Sequence, residues 1–321
     1  MNLFTEIILP ITIVFGISTV IAPFAINFLK KLKVGQQVRT DGPQTHLSKS
    51  GTPTIGGLIF LFGILVTSLF FIDKVNVNIL VFMALCGIIG FIDDFAKVKK
   101  KQSLGLDAKQ KIVAQFLASS AFLFLLWDME SLTTLIIPFT NKSIDLGVFY
   151  YPFFYIFTIG VVNAVNITDG LDGLAAGVTA LVAMFFGFAL LSFGSEEYLL
   201  PFIVLGALVS FLIFNYKPAK VFMGDTGSLA LGAFVAGIAT VSHMQFFIVI
   251  AGIIYLVESL SVMIQTGYFK YTKKKYGEGR RVFKMAPYHH HLEKKGLGEK
   301  EIVLRFYIIT TIGCLISYLA L

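Results

Sequence analysis

Apolar runs separated by short polar stretches recur along nearly the whole chain. A helix rises 1.5 Å per residue, so about 20 apolar residues cross the roughly 30 Å hydrocarbon core of a bilayer. Read with that ruler, the pattern predicts ten helices, over 5–29, 55–72, 77–93, 112–127, 150–166, 174–193, 197–214, 227–242, 246–269 and 302–320. The first run, from Ile7 to Leu29, has no basic residue ahead of it and no small-residue cleavage site, so it reads as a retained helix. The longest connecting stretch on the side opposite the basic loops, from Trp127 to Tyr150, alternates partly around Asn141, which predicts a small β-hairpin. No internal repeat, low-complexity tract or separate soluble domain interrupts the series, so residues 1–321 read as a single transmembrane domain.

Composition agrees with this pattern. Hydrophobic residues make up 56% of the 321 positions and charged residues 14%, with a mean hydropathy of +0.81. Soluble domains carry about 25% charged residues. The fold class is therefore an all-α integral membrane protein. Charge then orients it. The segments 30–54, 94–111, 215–226 and 270–301, with Arg305 just beyond, hold 24 of the 26 lysines and arginines. The other side has only Lys74 and Lys142. Basic loops stay in the cytoplasm. An even number of spans then puts both termini and the hairpin outside, and any active site on the cytoplasmic face. The net charge of +7 is first a topology signal and gives no reason to expect nucleic acid as a partner. Both cysteines, Cys86 and Cys314, lie in apolar runs, which argues against a disulfide framework or a cysteine metal site.

Chemistry-bearing residues gather in the cytoplasmic segments. Gly90-Phe91-Ile92-Asp93-Asp94 places two carboxylates where the third span ends. Such a pair suits a divalent cation or general-base work, or marks the membrane boundary and no more. Lys97 and Lys101 share a face with Asp93 if the helix continues. Asn163-Ala-Val-Asn166-Ile-Thr-Asp169-Gly-Leu-Asp172-Gly173 is a dense polar stretch without a basic residue, between two apolar helices. Its Asp-Gly pairs are turn signals, but that density also suits a binding site. Asn215 opens a third cluster that ends Val221-Phe222-Met-Gly-Asp225-Thr-Gly-Ser228, just before the eighth span. Its glycines allow close approach, and the following helix N-terminus favours an anion such as diphosphate. Pro287-Tyr-His289-His290-His291-Leu-Glu293 holds three of the five histidines, and consecutive histidines suit phosphate or sugar better than zinc. Lys49-Ser-Gly-Thr-Pro-Thr-Ile-Gly-Gly57 enters the second span.

Taken in order, Gly51-Thr-Pro-Thr-Ile-Gly-Gly57, Phe91-Ile-Asp-Asp94, Asn163 to Gly173, Val221 to Ser228 and Pro287 to Glu293 resemble the phospho-N-acetylmuramoyl-pentapeptide transferases of bacterial peptidoglycan synthesis. The aspartate motifs belong to the wider polyprenyl-phosphate sugar-1-phosphate transferases, and the Gly-Thr-Pro-Thr and triple-histidine motifs narrow the match. The resemblance implies a Mg2+-dependent transfer of phospho-MurNAc-pentapeptide from UDP-MurNAc-pentapeptide to undecaprenyl phosphate, giving lipid I and UMP. It implies a homodimer in the bacterial cytoplasmic membrane, ten spans, and a broken ninth helix leaning into the bilayer, with Glu258 and Gln265 lining a lipid groove. It makes Asp225 the metal ligand and puts Asp93 and Asp94 at the reaction centre, one of them as base or nucleophile. Lys97, Lys101 and His289, His290 and His291 would hold phosphates. Lys49, Asn166, Asp169, Asp172, Asn215 and Phe222 would form the nucleotide pocket, with the Phe222 ring on uracil. Two other readings remain: a sister transferase passing GlcNAc-1-phosphate to the same lipid, and a secondary transporter. Transporters bind near the bilayer midplane, often between inverted repeats, whereas these acidic clusters share one face.

Overall fold

The computed structural model describes residues 4–32, 49, 51–71, 74–100, 105–140 and 142–321. Its helices are α1 (Leu9–Lys31, entered by a π turn at Phe4–Ile8), α2 (Gly57–Phe71), α3 (Lys74–Lys100), α4 (Ala108–Leu125), α5 (Tyr150–Thr168), α6 (Leu174–Ser192), α7 (Leu199–Asn215), α8 (Gly224–Val241), α9 (Ile248–Ala251), α10 (Ile253–Tyr276), α11 (Tyr288–Glu293) and α12 (Glu299–Leu319). Two short strands, β1 (Thr134–Ile136) and β2 (Ser143–Asp145), pair antiparallel with Leu135 opposite Ile144. Asn141, at the tip of that pair, lies outside the described residues.

Helix covers every segment the apolar pattern picked out. Among the described residues, seven helices are long and apolar enough to cross a membrane, and α9 with α10 makes an eighth if a bent pair counts as one span. α2 is a shorter apolar helix, and α4 begins with lysines at 109 and 111. Large apolar side chains on the outside, such as Phe24, Leu69, Phe124 and Leu319, are the faces expected to meet lipid.

The bundle is organised around α8, which packs on α3, α5, α2 and α6 and is buried from Thr226 to Val241. Half of its 18 residues are glycine, alanine or serine, and small residues let helix backbones close up where apolar burial cannot drive association in lipid. Two contacts set the active end. A Cβ on Gly90 of α3 would collide with the Asp225 backbone, and one on Gly57 of α2 would collide with Gly227. α3 does not stop at residue 93 but runs to Lys100, so Asp93 and Asp94 lie inside a helix rather than at its exit. The ninth apolar run breaks at Gly252, where α9 and α10 diverge by 85°. A side chain at Gly252 would crowd the Ile248 carbonyl and the Tyr255 ring.

Candidate active site

The close approach at Gly90 brings α3 against the first turn of α8 and makes one centre from three carboxylates. Ligand oxygens of Asp93, Asp94 and Asp225 all lie within 4.8 Å of one another. Continuation of α3 puts Lys97 on their face, with its Nζ 2.6 Å from Asp93 Oδ2, 3.2 Å from Asp225 Oδ2 and 3.8 Å from Asp94 Oδ1. A second ammonium comes from Lys111, 2.6 Å from Asp225 Oδ2 and 3.1 Å from Asp93 Oδ2. Lys111 was not singled out from the sequence. Its signal was the helix start Asp107-Ala-Lys-Gln110, where Asp107 and Gln110 cap each other reciprocally and aim the first turn of α4 at the carboxylates. Lys101 lies outside the described residues.

The three carboxylates are held differently. Asp94 caps α8 from another helix: its Oδ1 accepts from Asp225 N (3.1 Å), and its Oδ2 accepts from Thr226 N (2.9 Å) and Thr226 Oγ1 (2.7 Å). The expectation that the α8 N-terminus offers its amides to a diphosphate is corrected by this geometry, because those N–H groups are already spent on Asp94. Gly224, at φ +69°, makes the approach, and any Cβ there would strike Asp94 and Thr54. Asp93 is fully buried, and its Oδ1 accepts from Leu106 N at 2.7 Å. Asp225 is the most open of the three, with 17% of its side chain exposed. Asn166, expected in the nucleotide pocket, donates to Asp225 Oδ1 (3.1 Å) and Ser228 Oγ (2.7 Å), which fixes the carboxylate's rotamer.

This donor set fits a hard divalent cation: oxygen only, anionic, with one partly open carboxylate. Asp225, the most open of the three, is the carboxylate that would hold it. Asp225 and Asp93 both face ammonium groups, which offset the same charge.

A second polar knot joins Lys49, the α5–α6 turn, the α7–α8 connection and the start of α12. Lys49 Nζ is 2.6 Å from both Asp172 Oδ1 and Glu299 Oε1, and Lys217 pairs with Glu299 Oε2. Burial works to lower the Lys49 ammonium pKa, but Asp172 and Glu299 outweigh it and hold it above its ordinary range. Asn215 is buried and joins two loops, accepting from Gly173 N (3.1 Å) and donating to the Val221 carbonyl (2.9 Å). Phe222 is half-buried, its backbone laced to the Gly-Thr-Pro-Thr segment through Pro53 O (2.9 Å) and Gly56 N (2.8 Å). Asp169 is half-buried and within electrostatic reach of both clusters. Burial, then the carboxylates of Asp225, Asp94 and Asp172, push its pKa well above the usual carboxylate range, with Lys49 opposing.

The histidines of α11 point to different partners. His289 is buried, and its N and Nδ1 lie 3.1 and 2.9 Å from the Glu258 carboxylate. Its Nε2 edge abuts Gly170, where a Cβ would collide with the ring, so this histidine reaches the Asn163–Gly173 cluster. His290 Nδ1 is 2.7 Å from Glu293. His291 Nδ1 accepts from Lys284 N at 3.1 Å; burial first, then Lys295 and Lys284, lower its pKa. Glu258 is fully buried and anchors His289, which corrects its expected place on a lipid groove. Gln265 accepts from Val282 N (3.1 Å) and Phe283 N (2.9 Å) and ties the basic loop to α10. Sequence reasoning therefore missed Lys111, Glu299 and Lys217, and gave Glu258 the wrong task.

Comparison with known proteins gives one answer along the whole chain. Residues 76–243 match glycosyl transferase family 4. Proteins named phospho-N-acetylmuramoyl-pentapeptide-transferase are similar end to end. The one from Clostridium perfringens (strain 13 / Type A) is 44% identical over 323 residues, covering 98% of this chain and 99% of that protein. That from Clostridioides difficile (strain 630) is 47% identical over 322 residues, 98% of each. That from Clostridium botulinum (strain Eklund 17B / Type B) is 47% identical over 313 residues, 96% of this chain and 94% of that protein. The chain is a member of the phospho-N-acetylmuramoyl-pentapeptide-transferase family, within glycosyl transferase family 4.

Proposed function

We propose that this chain transfers phospho-MurNAc-pentapeptide from UDP-MurNAc-pentapeptide to undecaprenyl phosphate, releasing UMP and forming lipid I in the bacterial cytoplasmic membrane. The observation that carries the reading is the convergence of Asp93, Asp94 and Asp225 with Lys97 and Lys111 at one helix junction. A phosphate oxygen of the lipid attacks the phosphorus attached to the sugar, and the bond from that phosphorus to the UMP oxygen breaks. Both substrates are anionic, so the site must offset charge while they meet. Lys97 and Lys111 do so by moving from the carboxylates onto phosphate oxygens. When bound, Mg2+ would supply Lewis-acid stabilisation of the charge on the diphosphate, with Asp225 as the carboxylate that holds it.

Asp93 rather than Asp94 is our assignment for the base. A substrate phosphate that draws away the two lysines frees Asp93 Oδ2, whereas Asp94 is released only by uncapping α8. Asn166 orients Asp225, and His289 borders the same cleft through Gly170. The remaining parts of the proposal are ten spans with both termini and the hairpin outside, one domain over residues 1–321, α10 leaning into the bilayer, and a homodimer.

The test is UMP release by the purified protein with each substrate withheld in turn, with and without a divalent cation. UMP that requires both substrates and the cation supports the reading. Turnover with UDP-GlcNAc in place of the pentapeptide donor overturns the substrate assignment.

Phe222→Ala is expected to raise KM for the UDP donor about tenfold or more, since base–aromatic stacking is worth about 1–3 kcal/mol. The KM for undecaprenyl phosphate should stay within about twofold. Equal losses for both substrates would remove the stacking role.

A further inference from the structure

One buried carboxylate at the start of α12 has no task in the transfer just described. Glu299 is the first residue of α12 and is 5% exposed, although it lies in a cytoplasmic segment where solvent would otherwise reach it. A buried carboxylate is costly unless paired and hydrogen-bonded, and Glu299 is fully engaged. Its Oε1 receives Lys49 Nζ at 2.6 Å and the Asp172 backbone N–H at 2.7 Å, and its Oε2 receives Lys217 Nζ. The helix N-terminus beneath it also favours negative charge.

Those partners come from three separate segments. Lys49 leads into the Gly-Thr-Pro-Thr loop, Asp172 sits in the α5–α6 turn beside Asp169, and Lys217 opens the α7–α8 connection that carries Phe222. Asp172 completes the knot by accepting from Lys49 Nζ (2.6 Å) and from Ala219 N (3.0 Å). Two lysines and two carboxylates cancel in charge, so the knot adds no net charge of its own. Its effect is geometric. An ammonium has three N–H groups; two of Lys49's are taken by carboxylates, and the third is left in a fixed direction. The Lys49 side chain keeps 15% of its surface exposed.

We propose that Glu299 is a positioning residue that clamps Lys49 and thereby shapes the donor end of the cleft. The link to the donor rests on the transferase reading; the clamp itself does not. Asp172 alone could hold Lys49 in place but would leave it free to swing about a single contact. Glu299 supplies the second point and ties it to the α7–α8 connection through Lys217.

Two measurements test this. In the first, the full-length protein in detergent is treated with an amine-acetylating reagent, and the Lys49 peptide is followed by mass spectrometry against exposed Lys142 as internal standard. Glu299→Gln should speed Lys49 labelling at least fivefold. Lys217→Gln should leave it unchanged or slow it, because Glu299 then serves Lys49 alone. An unchanged rate in Glu299→Gln overturns the clamp. A faster rate in Lys217→Gln also overturns it, since the knot would then be only a general brace.

In the second measurement, Glu299→Gln should raise KM for the UDP donor about tenfold, with kcat and the KM for undecaprenyl phosphate within about twofold. Glu299→Asp should recover part of the loss. A uniform fall in kcat with donor KM unchanged overturns the positioning role even if Lys49 is freed. Absence of UMP release by the unaltered protein counts against the transferase reading, and the labelling result then decides the clamp.

Discussion

Asn in place of Asp225 is expected to lower kcat for UMP release by at least about a thousandfold while leaving the protein folded. In the proposed reaction Asp225 holds the cation, so its loss removes several kcal/mol of charge stabilisation, and each 1.4 kcal/mol is about a factor of ten. Stability should change little, because Asn keeps the volume and can still accept from Asn166, and the lysines retain Asp93. The checks are steady-state UMP release, a divalent-cation titration and thermal unfolding in one detergent. Turnover within tenfold of the unaltered protein would remove Asp225 from the centre.

Asp94→Asn should behave differently, and the contrast separates the roles of the two carboxylates. Asp94 accepts three hydrogen bonds from the start of α8, two of them from backbone amides. Asn offers one acceptor and turns an NH2 group towards donors on the other side. Loss of a cap costs about 0.5–2 kcal/mol, and an orphaned buried donor about 1–3 kcal/mol. The variant should lose activity together with a measurable fall in unfolding midpoint. A full loss of activity with the midpoint unmoved would sink the cap and return Asp94 to a purely chemical role.

Helices were easy to read because lipid imposes a length that the apolar runs display directly. The exceptions have local causes. The break in the ninth run was expected from the resemblance and not from hydropathy, because it turns on Gly252, a single residue that leaves the apolar pattern unchanged. The continuation of α3 past Asp94 is hidden because the charges at Lys97, Lys99 and Lys100 resemble a membrane exit. The site was legible where motifs concentrate polar residues: Asp93, Asp94, Asp225 and Asn166 do meet. It was illegible where the partner is an isolated residue far along the chain. Lys111 lies 114 positions from Asp225, and Glu299 lies 250 from Lys49. Each looks like one more charge in a basic loop until packing pairs it. Glu258 misled for the opposite reason, since an acid in an apolar helix resembles a lining residue when its histidine partner is 31 positions away.

The 85° turn at Gly252 makes α10 an arm mounted on an elbow. At 1.5 Å per residue its far end, Tyr276, is about 36 Å from the pivot, Gln265 about 20 Å and Glu258 about 9 Å. Any swing of the arm is therefore graded along its length. A rotation of about 5° carries the tip roughly 3 Å, the loop tied to Gln265 less than 2 Å, and Glu258 under 1 Å. In such a swing His289, fastened to Glu258 near the pivot, would shift least and the basic end beyond Gln265 most. A displacement of the outer arm would reach the histidine at its root reduced to a fraction of its size.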